Sequence, residues 1–411
     1  MAIGRANGSL VAALLTLAFA APLVWLVPPG EAPDEPAHLA YVDHLLRHGE
    51  LPPVGPNEGY ENYQPPLAYL AMAAGVAVSG HASIDYPFVR DPSFQFAGPK
   101  KRMFLPVDDD PGAVHSARAA NLLGGAIASA ATFLLCLRLA SSAWIAVAAA
   151  APFCLAPQLL FASATATNDA LLAALSALAL LTLARVLEAA SGPAAAGASA
   201  SAGLAFGAKA SAAALAPAIV FAGIVLALRR RWREVGFLLV PAAVLTTGWV
   251  TLNLARAGTI VPRLPTGWES AHAGTLARLM TEPWWIVQVW VGFWAKLGWF
   301  NVPLPMAAYL LFVPATMLAA AGLTACLSRR DAAALALVVV ANAALLVVYL
   351  LTVDWQPQGR YLLPSLPALA GLATIGLERV RPRRDRAFAI ALLAFALAAA
   401  ILTLRQAAIV Y

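Results

Sequence analysis

The sequence predicts an all-α polytopic membrane protein, and three observations lead to that fold class. Hydrophobic residues make up 61% of the 411 residues and charged residues only 12%, which is about half the charged share of a soluble domain. Apolar runs of about twenty residues, long enough to cross a bilayer as a helix, recur along the chain. These runs lack the alternating pattern of a membrane β-barrel.

The apolar runs predict about eleven transmembrane helices in one transmembrane domain, 1–411. The first run is longer than the core of a signal peptide, so we expect a permanent span there. We divide residues 193–228 at Lys209, where small residues such as Gly203 would let two short helices pack as a hairpin. The predicted spans are 9–28, 114–138, 143–162, 168–188, 193–208, 211–228, 234–254, 303–327, 331–352, 360–379 and 386–406.

The charged residues predict the orientation of these spans. Basic residues concentrate in cytoplasmic loops, and one assignment with a cytoplasmic N-terminus at Arg5 places every basic cluster on one side and the acidic loops on the other. The net charge of +6 is therefore explained by the membrane, and no nucleic-acid partner is expected. The basic clusters are Arg138, Arg185, 229–233, 329–330 and 379–386, and the acidic positions are 34–35, 108–110, 169 and 354.

Two long loops follow on the outer side. Loop 29–113 contains two short helical patterns, an amphipathic one from Pro36 to His48 and an apolar one from Leu67 to Ser79. Both are too short to span and are expected to lie in the membrane interface. Loop 255–302 contains a tryptophan-rich segment at 283–300, which is typical of the membrane–water boundary and predicts a third interfacial helix.

Several classes of function are disfavoured by what the sequence lacks. The three cysteines lie within apolar runs, which indicates buried small residues and not a disulfide framework or a metal site. The sequence contains no phosphate-binding loop, dinucleotide fingerprint, paired-histidine zinc motif or CxxC pair. Nucleotide-driven chemistry is therefore not expected, and there is no soluble domain to host a nucleotide-sugar site.

Asp34 and Glu35, directly after the first span, are the leading catalytic candidates. One interpretation is capping of the helix that follows, because acidic residues suit helix N-termini. Capping explains one carboxylate better than two adjacent ones. The other interpretation is a general base that takes a proton from an acceptor hydroxyl or amine. His38, one turn later, would orient Asp34 or contact the substrate.

Further candidates lie where other outer loops meet the spans. Asn168 and Asp169 suit either a helix N-cap or the binding of an acceptor or divalent ion. Arg360 suits either a phosphate contact through its fork of donors or a side chain that reaches the interface. Lys209 has the same two interpretations. The complete set of predicted substrate-binding residues is His38, Tyr63, Gln64, Arg118, Asn168, Asp169, Lys209, Gln358, Arg360 and Tyr361.

An ordered series of motifs resembles the GT-C superfamily of membrane glycosyltransferases along nearly the whole chain. The series is Pro33-Asp34-Glu35-x-x-His38, Gln64-Pro65-Pro66-Leu67-Ala68-Tyr69, Arg118, Thr167-Asn168-Asp169-Ala170, Gly203 to Lys209, Gly248-Trp249 to Asn253, Phe300-Asn301-Val302-Pro303 and Gln358-Gly359-Arg360-Tyr361. The chain is most similar to a bacterial subgroup of GT-C-like membrane proteins.

The resemblance implies a GT-C-like bundle and an enzyme in the bacterial cytoplasmic membrane with its active site on the outer face. The donor would be a sugar linked to polyprenyl phosphate. Asp34 would be the base with Glu35 beside it, and Arg360, Lys209 and Arg118 would contact the phosphate. Direct displacement would invert the anomeric centre.

Departures from the family pattern narrow these expectations. Gln64 stands where lipid A aminoarabinose transferases carry a lysine before the Pro-Pro pair, which argues against a phosphate contact there. Trp284-Trp285 is followed by Ile286 and not by aspartate, which argues against an oligosaccharyltransferase acting on protein sequons.

The sequence thus predicts a hexosyl- or pentosyltransferase that acts on a glycan, lipid or protein acceptor of the cell envelope. No cofactor or metal site is assigned, although Asp34, Glu35 and Asp169 could share a divalent cation. A transporter or flippase of a lipid-linked glycan is the alternative, since buried ionisable residues also suit transport. A third possibility is a non-catalytic lipid-binding subunit, in which Asp34→Asn would leave the function intact.

Overall fold

The protein is a bundle of helices in a computed structural model that describes residues 5–55, 58–96, 98–259, 273–380 and 385–411. One small antiparallel sheet within these residues pairs β1 (Lys296–Leu297) with β2 (Val302–Pro303). The all-α class is confirmed. The helices are α1 (Arg5–Leu26), α2 (Glu35–His48), α3 (Leu67–Val78), α4 (Gly112–Leu139), α5 (Ala143–Cys154), α6 (Pro157–Ser163), α7 (Asp169–Ala189), α8 (Gly192–Ala208), α9 (Ala216–Leu228), α10 (Trp232–Ala257), α11 (Leu276–Thr281), α12 (Trp284–Trp294), α13 (Val313–Leu323), α14 (Arg330–Thr352), α15 (Leu366–Val380) and α16 (Asp385–Val410).

Short 3₁₀ segments precede α9, α13 and α15 and extend those helices to membrane-spanning length. They cover Ala210–Leu215, Met306–Phe312 and Gly359–Ser365. Within the described residues, nine helices are long and apolar enough to cross a membrane. The pair α5 and α6, bent by 59°, would make ten. The chain is therefore a multi-pass membrane protein, and the number eleven stays a prediction.

The bend between α5 and α6 divides a segment that the sequence predicted as one span. Pro157 begins α6, and a proline has no backbone N–H with which to continue the preceding helix. The polypeptide therefore changes direction after Cys154, and α6 leads towards Asn168 and the start of α7.

The division at Lys209 lies where the sequence placed it. The predicted hairpin of the flanking helices is wrong, because α8 packs on α7 and α10 and scarcely contacts α9. Lys209 has extended backbone angles between α8 and the following 3₁₀ segment. Gly203 of α8 faces α10, where a Cβ atom would come within 3.1 Å of the Ala242 Cα. The Ser199 hydroxyl also accepts a hydrogen bond from the Ala242 N–H at 2.8 Å. The small residues of α8 therefore serve close packing against α10.

The two short helices of the first long loop pack together over one end of the bundle. Leu39 and Val42 of α2 share a buried apolar cluster with Met72 and Val76 of α3. The Tyr69 ring stacks on the Tyr41 ring of α2, with centroids 3.9 Å apart. The face of α2 expected to be apolar is the face that packs, and this packing fixes Asp34 and His38 relative to α3.

The tryptophan-rich segment forms α12 and continues into the small sheet. Trp284 at the start of α12 is 71% exposed, whereas Trp294 at its end is 1% exposed and stacks on Phe312. One end of α12 is thus embedded in the bundle. The predicted interfacial location of the other end stays a prediction, and residues 260–272 of this loop lie outside the described residues.

Basic side chains gather at the opposite end of the bundle from Asp34. Arg138 at the end of α4 forms a close ion pair with Glu188 at the end of α7. Arg329 and Arg379 line a cleft of about 390 Å³ with Ser141. In the predicted orientation this end is cytoplasmic, and that orientation stays a prediction. Residues 381–384 of the last cluster and the Arg5 side chain lie outside the described residues.

Candidate active site

Four charged side chains from distant parts of the sequence meet at one end of the bundle and form two ion pairs. Asp34 lies between α1 and α2, and Arg360 lies in the 3₁₀ segment before α15; an Arg360 Nη2–H donates to Asp34 Oδ2 in a close ion pair. Asp169 begins α7, and Lys209 follows α8; the Lys209 Nζ donates to Asp169 Oδ1 at 2.6 Å. We refer to these four residues as the charged cluster.

The backbone of Asp34 directs its side chain into this cluster. Asp34 precedes the first residue of α2 and has φ 64° and ψ 2°, in the left-handed region. Such a conformation costs a non-glycine residue roughly 1–3 kcal/mol and is typical of functional sites. Its carboxylate caps no helix N–H. The capping interpretation is therefore wrong for Asp34.

The surroundings of Asp34 keep its carboxylate ionised. Burial raises the pKa of Asp34, but the positive charge of Arg360, with a smaller contribution from Lys209, outweighs burial and lowers the pKa below its usual value. The Asp34 side chain is 23% exposed, against 5% for Arg360 and 3% for Asp169. Asp34 is therefore the ionised group of the cluster that a substrate reaches most easily.

The two cations of the cluster keep donors available. Arg360 donates from Nε to Gln358 Oε1 at 2.9 Å, from Nη1 to the Pro33 carbonyl at 3.3 Å and from Nη2 to Asp34. Together with a hydrogen bond to the Tyr361 side chain, these bonds use four of the five N–H groups of a guanidinium. The Lys209 ammonium has three N–H groups, and one described bond, to Asp169, uses one of them.

Glu35 and Arg118 lie deeper in the protein than the charged cluster. The sequence predicted Glu35 as a catalytic residue and Arg118 as a phosphate contact, and both predictions need correction. Both side chains are fully buried and form a bidentate pair, with nitrogen–oxygen distances of 2.8 and 2.6 Å. Glu35 also accepts from the Gly30 and Ala166 N–H groups. Its oxygens already accept four bonds out of contact with solvent, which leaves no route for a substrate proton.

All five N–H groups of Arg118 are used within the protein. Beyond the two bonds to Glu35, Arg118 donates to the carbonyls of Val24, Val27 and Pro28 at 2.5 to 3.0 Å. No donor remains for a phosphate. Glu35 and Arg118 therefore join α1, α2 and α4 and hold the turn that carries Asp34.

A second polar network adjoins Asp34 and includes residues that the sequence analysis did not select. The Tyr69 hydroxyl lies 2.9 Å from His38 Nδ1 and donates to Glu61 Oε2 at 3.2 Å. His38 Nδ1 is 3.6 Å from the same Glu61 oxygen. Asn168 donates to the Tyr69 hydroxyl at 3.4 Å, while its buried Oδ1 has no partner among the described residues.

Burial sets the charge of this network. Burial and the neighbouring Asp34 charge raise the pKa of Glu61 to about 8. Burial also lowers the pKa of His38 to about 4. At neutral pH, Glu61 is therefore protonated and His38 is a neutral imidazole. Two close carboxylates thus differ in charge, with Asp34 ionised and Glu61 neutral.

The remaining predicted residues lie around the two networks. The Tyr361 ring lies 5.3 Å from the Arg360 guanidinium and 5.8 Å from the Lys209 ammonium. Tyr63 hydrogen-bonds the Gln64 side chain, and the Gln64 carbonyl accepts from the Tyr41 hydroxyl at 3.4 Å. These residues form the aromatic and amide border of the charged cluster.

A divalent cation fits Asp34, His38 and Glu61 better than it fits the set predicted from the sequence, which was Asp34, Glu35 and Asp169. Their ligand atoms lie within 4.8 Å of one another. Two carboxylates with one neutral imidazole suit zinc or manganese, and binding of the cation would release the proton of Glu61. The orphaned Asn168 oxygen lies beside the same network. In the predicted set of Asp34, Glu35 and Asp169, Glu35 is saturated by four donors and Asp169 is held by Lys209.

Comparison with known proteins places the chain in a family and confirms the fold. The family described as "Predicted membrane protein (DUF2142)" matches residues 108–369. Curated proteins give no match. Among solved structures, ArnT from Cupriavidus metallidurans bound to undecaprenyl phosphate is similar, with a TM-score of 0.57 and 17% identity over 97% of this chain and 74% of that one. The apo state of the same protein gives a TM-score of 0.57 and 18% identity over 97% of this chain and 73% of that one.

A third structure has the same fold at greater distance. The Archaeoglobus fulgidus oligosaccharyltransferase, in complex with Zn and sulfate, gives a TM-score of 0.51 and 14% identity over 97% of this chain and 53% of that one. These likenesses confirm the predicted GT-C fold.

Proposed function

The chain belongs to the DUF2142 family of membrane proteins, and from this premise we propose that it is a GT-C glycosyltransferase of the bacterial cytoplasmic membrane. It moves a hexosyl or pentosyl group from a polyprenyl-phosphate donor to a glycan, lipid or protein acceptor of the cell envelope. The active site is the charged cluster, on the outer face. The likeness of the fold to ArnT bound to undecaprenyl phosphate supports the class of donor.

One observation carries the proposal: a partly exposed, ionised Asp34 lies between cations that keep unused donors. One N–H group of Arg360 and two of Lys209 have no described partner. Arginine and lysine donors suit the oxygens of a phosphate. A carboxylate beside a phosphate site is placed to take a proton from an incoming hydroxyl.

The reaction that fits these groups is a single displacement. Asp34 accepts the proton of the acceptor hydroxyl, and the acceptor oxygen forms a bond to the anomeric carbon. The bond between that carbon and the phosphate oxygen breaks, and its electron pair leaves with polyprenyl phosphate. Arg360 and Lys209 stabilise the charge of the departing phosphate. Direct attack inverts the anomeric centre.

A divalent cation, where bound, would be held by Asp34, His38 and Glu61. It would supply positive charge close to the phosphate oxygens. The likeness to an oligosaccharyltransferase in complex with Zn supports a cation in this fold.

Metal content tests this assignment. Purified protein dialysed against Zn²⁺ or Mn²⁺ is expected to retain about one equivalent, and Glu61→Gln should weaken binding at least about tenfold because a ligand is lost. Glu58→Gln, an exposed change in the same loop, is the matched control. Equal retention by Glu61→Gln and wild type would contradict the site.

The proposed function itself is tested by transfer. Purified protein in nanodiscs is given a panel of radiolabelled undecaprenyl-phosphate hexoses and pentoses with envelope membranes as acceptor. We expect label in the acceptor and one undecaprenyl phosphate released for each sugar transferred. In the flippase alternative, the protein would move intact donor between leaflets without consuming it, and a lipid-scrambling assay detects that outcome.

A further inference from the structure

Tyr60 occupies the side of Asp34 that the ion pair leaves open. The Tyr60 hydroxyl donates to Asp34 Oδ1 at 3.2 Å, while Oδ2 is bound to Arg360. Among the described contacts, Tyr60 is the sole donor to Oδ1. The oxygen that is free to act as a base is therefore covered by a neutral hydroxyl donor.

The Tyr60 side chain is placed where it can leave Asp34 without disturbing the packed core. It is 42% exposed and belongs to none of the buried apolar clusters of the described residues. It lies on a turn closed by a hydrogen bond from the Asn62 N–H to the Gly59 carbonyl at 2.9 Å. The Asn62 side chain anchors this turn to the Pro53 carbonyl at 2.9 Å. The side chain can therefore rotate outward while the turn stays in place.

We infer that Tyr60 is the acceptor-site residue, and that the acceptor is a carbohydrate hydroxyl that displaces the Tyr60 phenol from Asp34 Oδ1. This inference rests on the proposed function. The phenol already makes the bond that an acceptor hydroxyl must make before it loses its proton to Asp34. Once displaced, the exposed ring offers an apolar face against which a sugar ring can pack.

The charge of the site favours a hydroxyl over an ammonium acceptor. The two ion pairs of the charged cluster contain two carboxylates and two cations, so their charges cancel. An ammonium group approaching Asp34 would meet Arg360 and Lys209 without surplus negative charge to hold it. A neutral hydroxyl carries no such penalty.

Water serves as a probe that requires no knowledge of the acceptor. In hydrolysis, water replaces the acceptor, Asp34 takes its proton, and free sugar and undecaprenyl phosphate are released. Tyr60→Phe removes the competing hydroxyl and keeps the ring. Because a hydrogen bond to a charged group contributes about 1.5 kcal/mol or more, we expect hydrolysis to rise about tenfold. Tyr86→Phe, a hydroxyl deletion in the same outer loop, should leave the rate unchanged.

The role of the ring is tested by transfer to the glycolipids extracted from envelope membranes. Tyr60→Ala should raise the acceptor KM by up to about tenfold, as expected for the loss of one aromatic contact, and leave the donor KM unchanged. Tyr60→Phe should keep the wild-type acceptor KM or lower it. Matching thermal unfolding of the variants and wild type establishes that the fold is retained.

The outcomes separate this inference from the proposed function. Unchanged hydrolysis in Tyr60→Phe, or equal acceptor KM in the Phe and Ala variants, overturns the role of Tyr60 while transfer by wild type stands. If wild type neither hydrolyses nor transfers any donor of the panel, the proposed function fails, and the inference fails with it.

Discussion

Asp34→Asn is expected to lower glycosyl transfer by at least about 10²-fold, the usual contribution of a general base. Asparagine keeps the shape of the side chain and can still accept from Arg360, but it cannot take a proton. Undecaprenyl phosphate binding should therefore persist, because the unused donors of Arg360 and Lys209 remain. The measurements are initial transfer rate and ligand affinity in the same nanodisc preparation.

Asp85→Asn is the matched control for this change. Asp85 lies in the same long loop, with a side chain 73% exposed and paired with Arg47, and its substitution should leave transfer unaltered. Transfer by Asp34→Asn at the wild-type rate would remove Asp34 from the mechanism and would favour the non-catalytic interpretation.

Arg118→Met is expected to damage folding and not catalysis. The change leaves the Glu35 carboxylate buried and unpaired and deprives three carbonyls of their donor. Breaking a buried ion pair from one side costs about 3–5 kcal/mol. We therefore expect a large fall in the yield of monodisperse protein and in the temperature of unfolding.

Arg138→Met provides the comparison for Arg118→Met. In the pair of Arg138 with Glu188 the side chains are 25% and 66% exposed, and pairs that reach solvent contribute about 1 kcal/mol or less. A stable Arg118→Met protein that has lost donor affinity would contradict the scaffold role and restore the phosphate contact predicted from the sequence.

The fold class was predictable because a bilayer imposes length and hydropathy on every span. The same requirement for hydropathy predicted the helix break at Lys209, because one charged residue interrupts an apolar run there. It also located α2, whose apolar face is the one that packs on α3. The partner of α8 was mistaken, since small residues show that a helix packs closely but not against which neighbour.

The site was less predictable because adjacent residues can have opposite surroundings. Asp34 and Glu35 are neighbours in sequence, yet the left-handed turn at Asp34 directs one carboxylate to Arg360 and the other to Arg118. Nothing local distinguishes them, because both partners lie far along the chain.

Still fewer features of the sequence indicated a function for Tyr60, Glu61 and Tyr69. Two lie in an irregular loop without periodicity, and Tyr69 lies in an apolar helix where an aromatic residue is ordinarily core. Tyr69 is indeed fully buried, but its hydroxyl joins His38 to Glu61. The proximity of Glu61 to the Pro65-Pro66 motif is the one feature of the sequence that pointed towards it.

The most direct test of the account is a cryo-electron microscopy structure of the protein in nanodiscs with undecaprenyl phosphate. We predict phosphate density in contact with Arg360 and Lys209, with Asp34 within reach of the adjacent space that the sugar and acceptor would occupy. Phosphate bound away from both cations, or a continuous path past Asp34 to the other side of the membrane, would contradict the glycosyltransferase site.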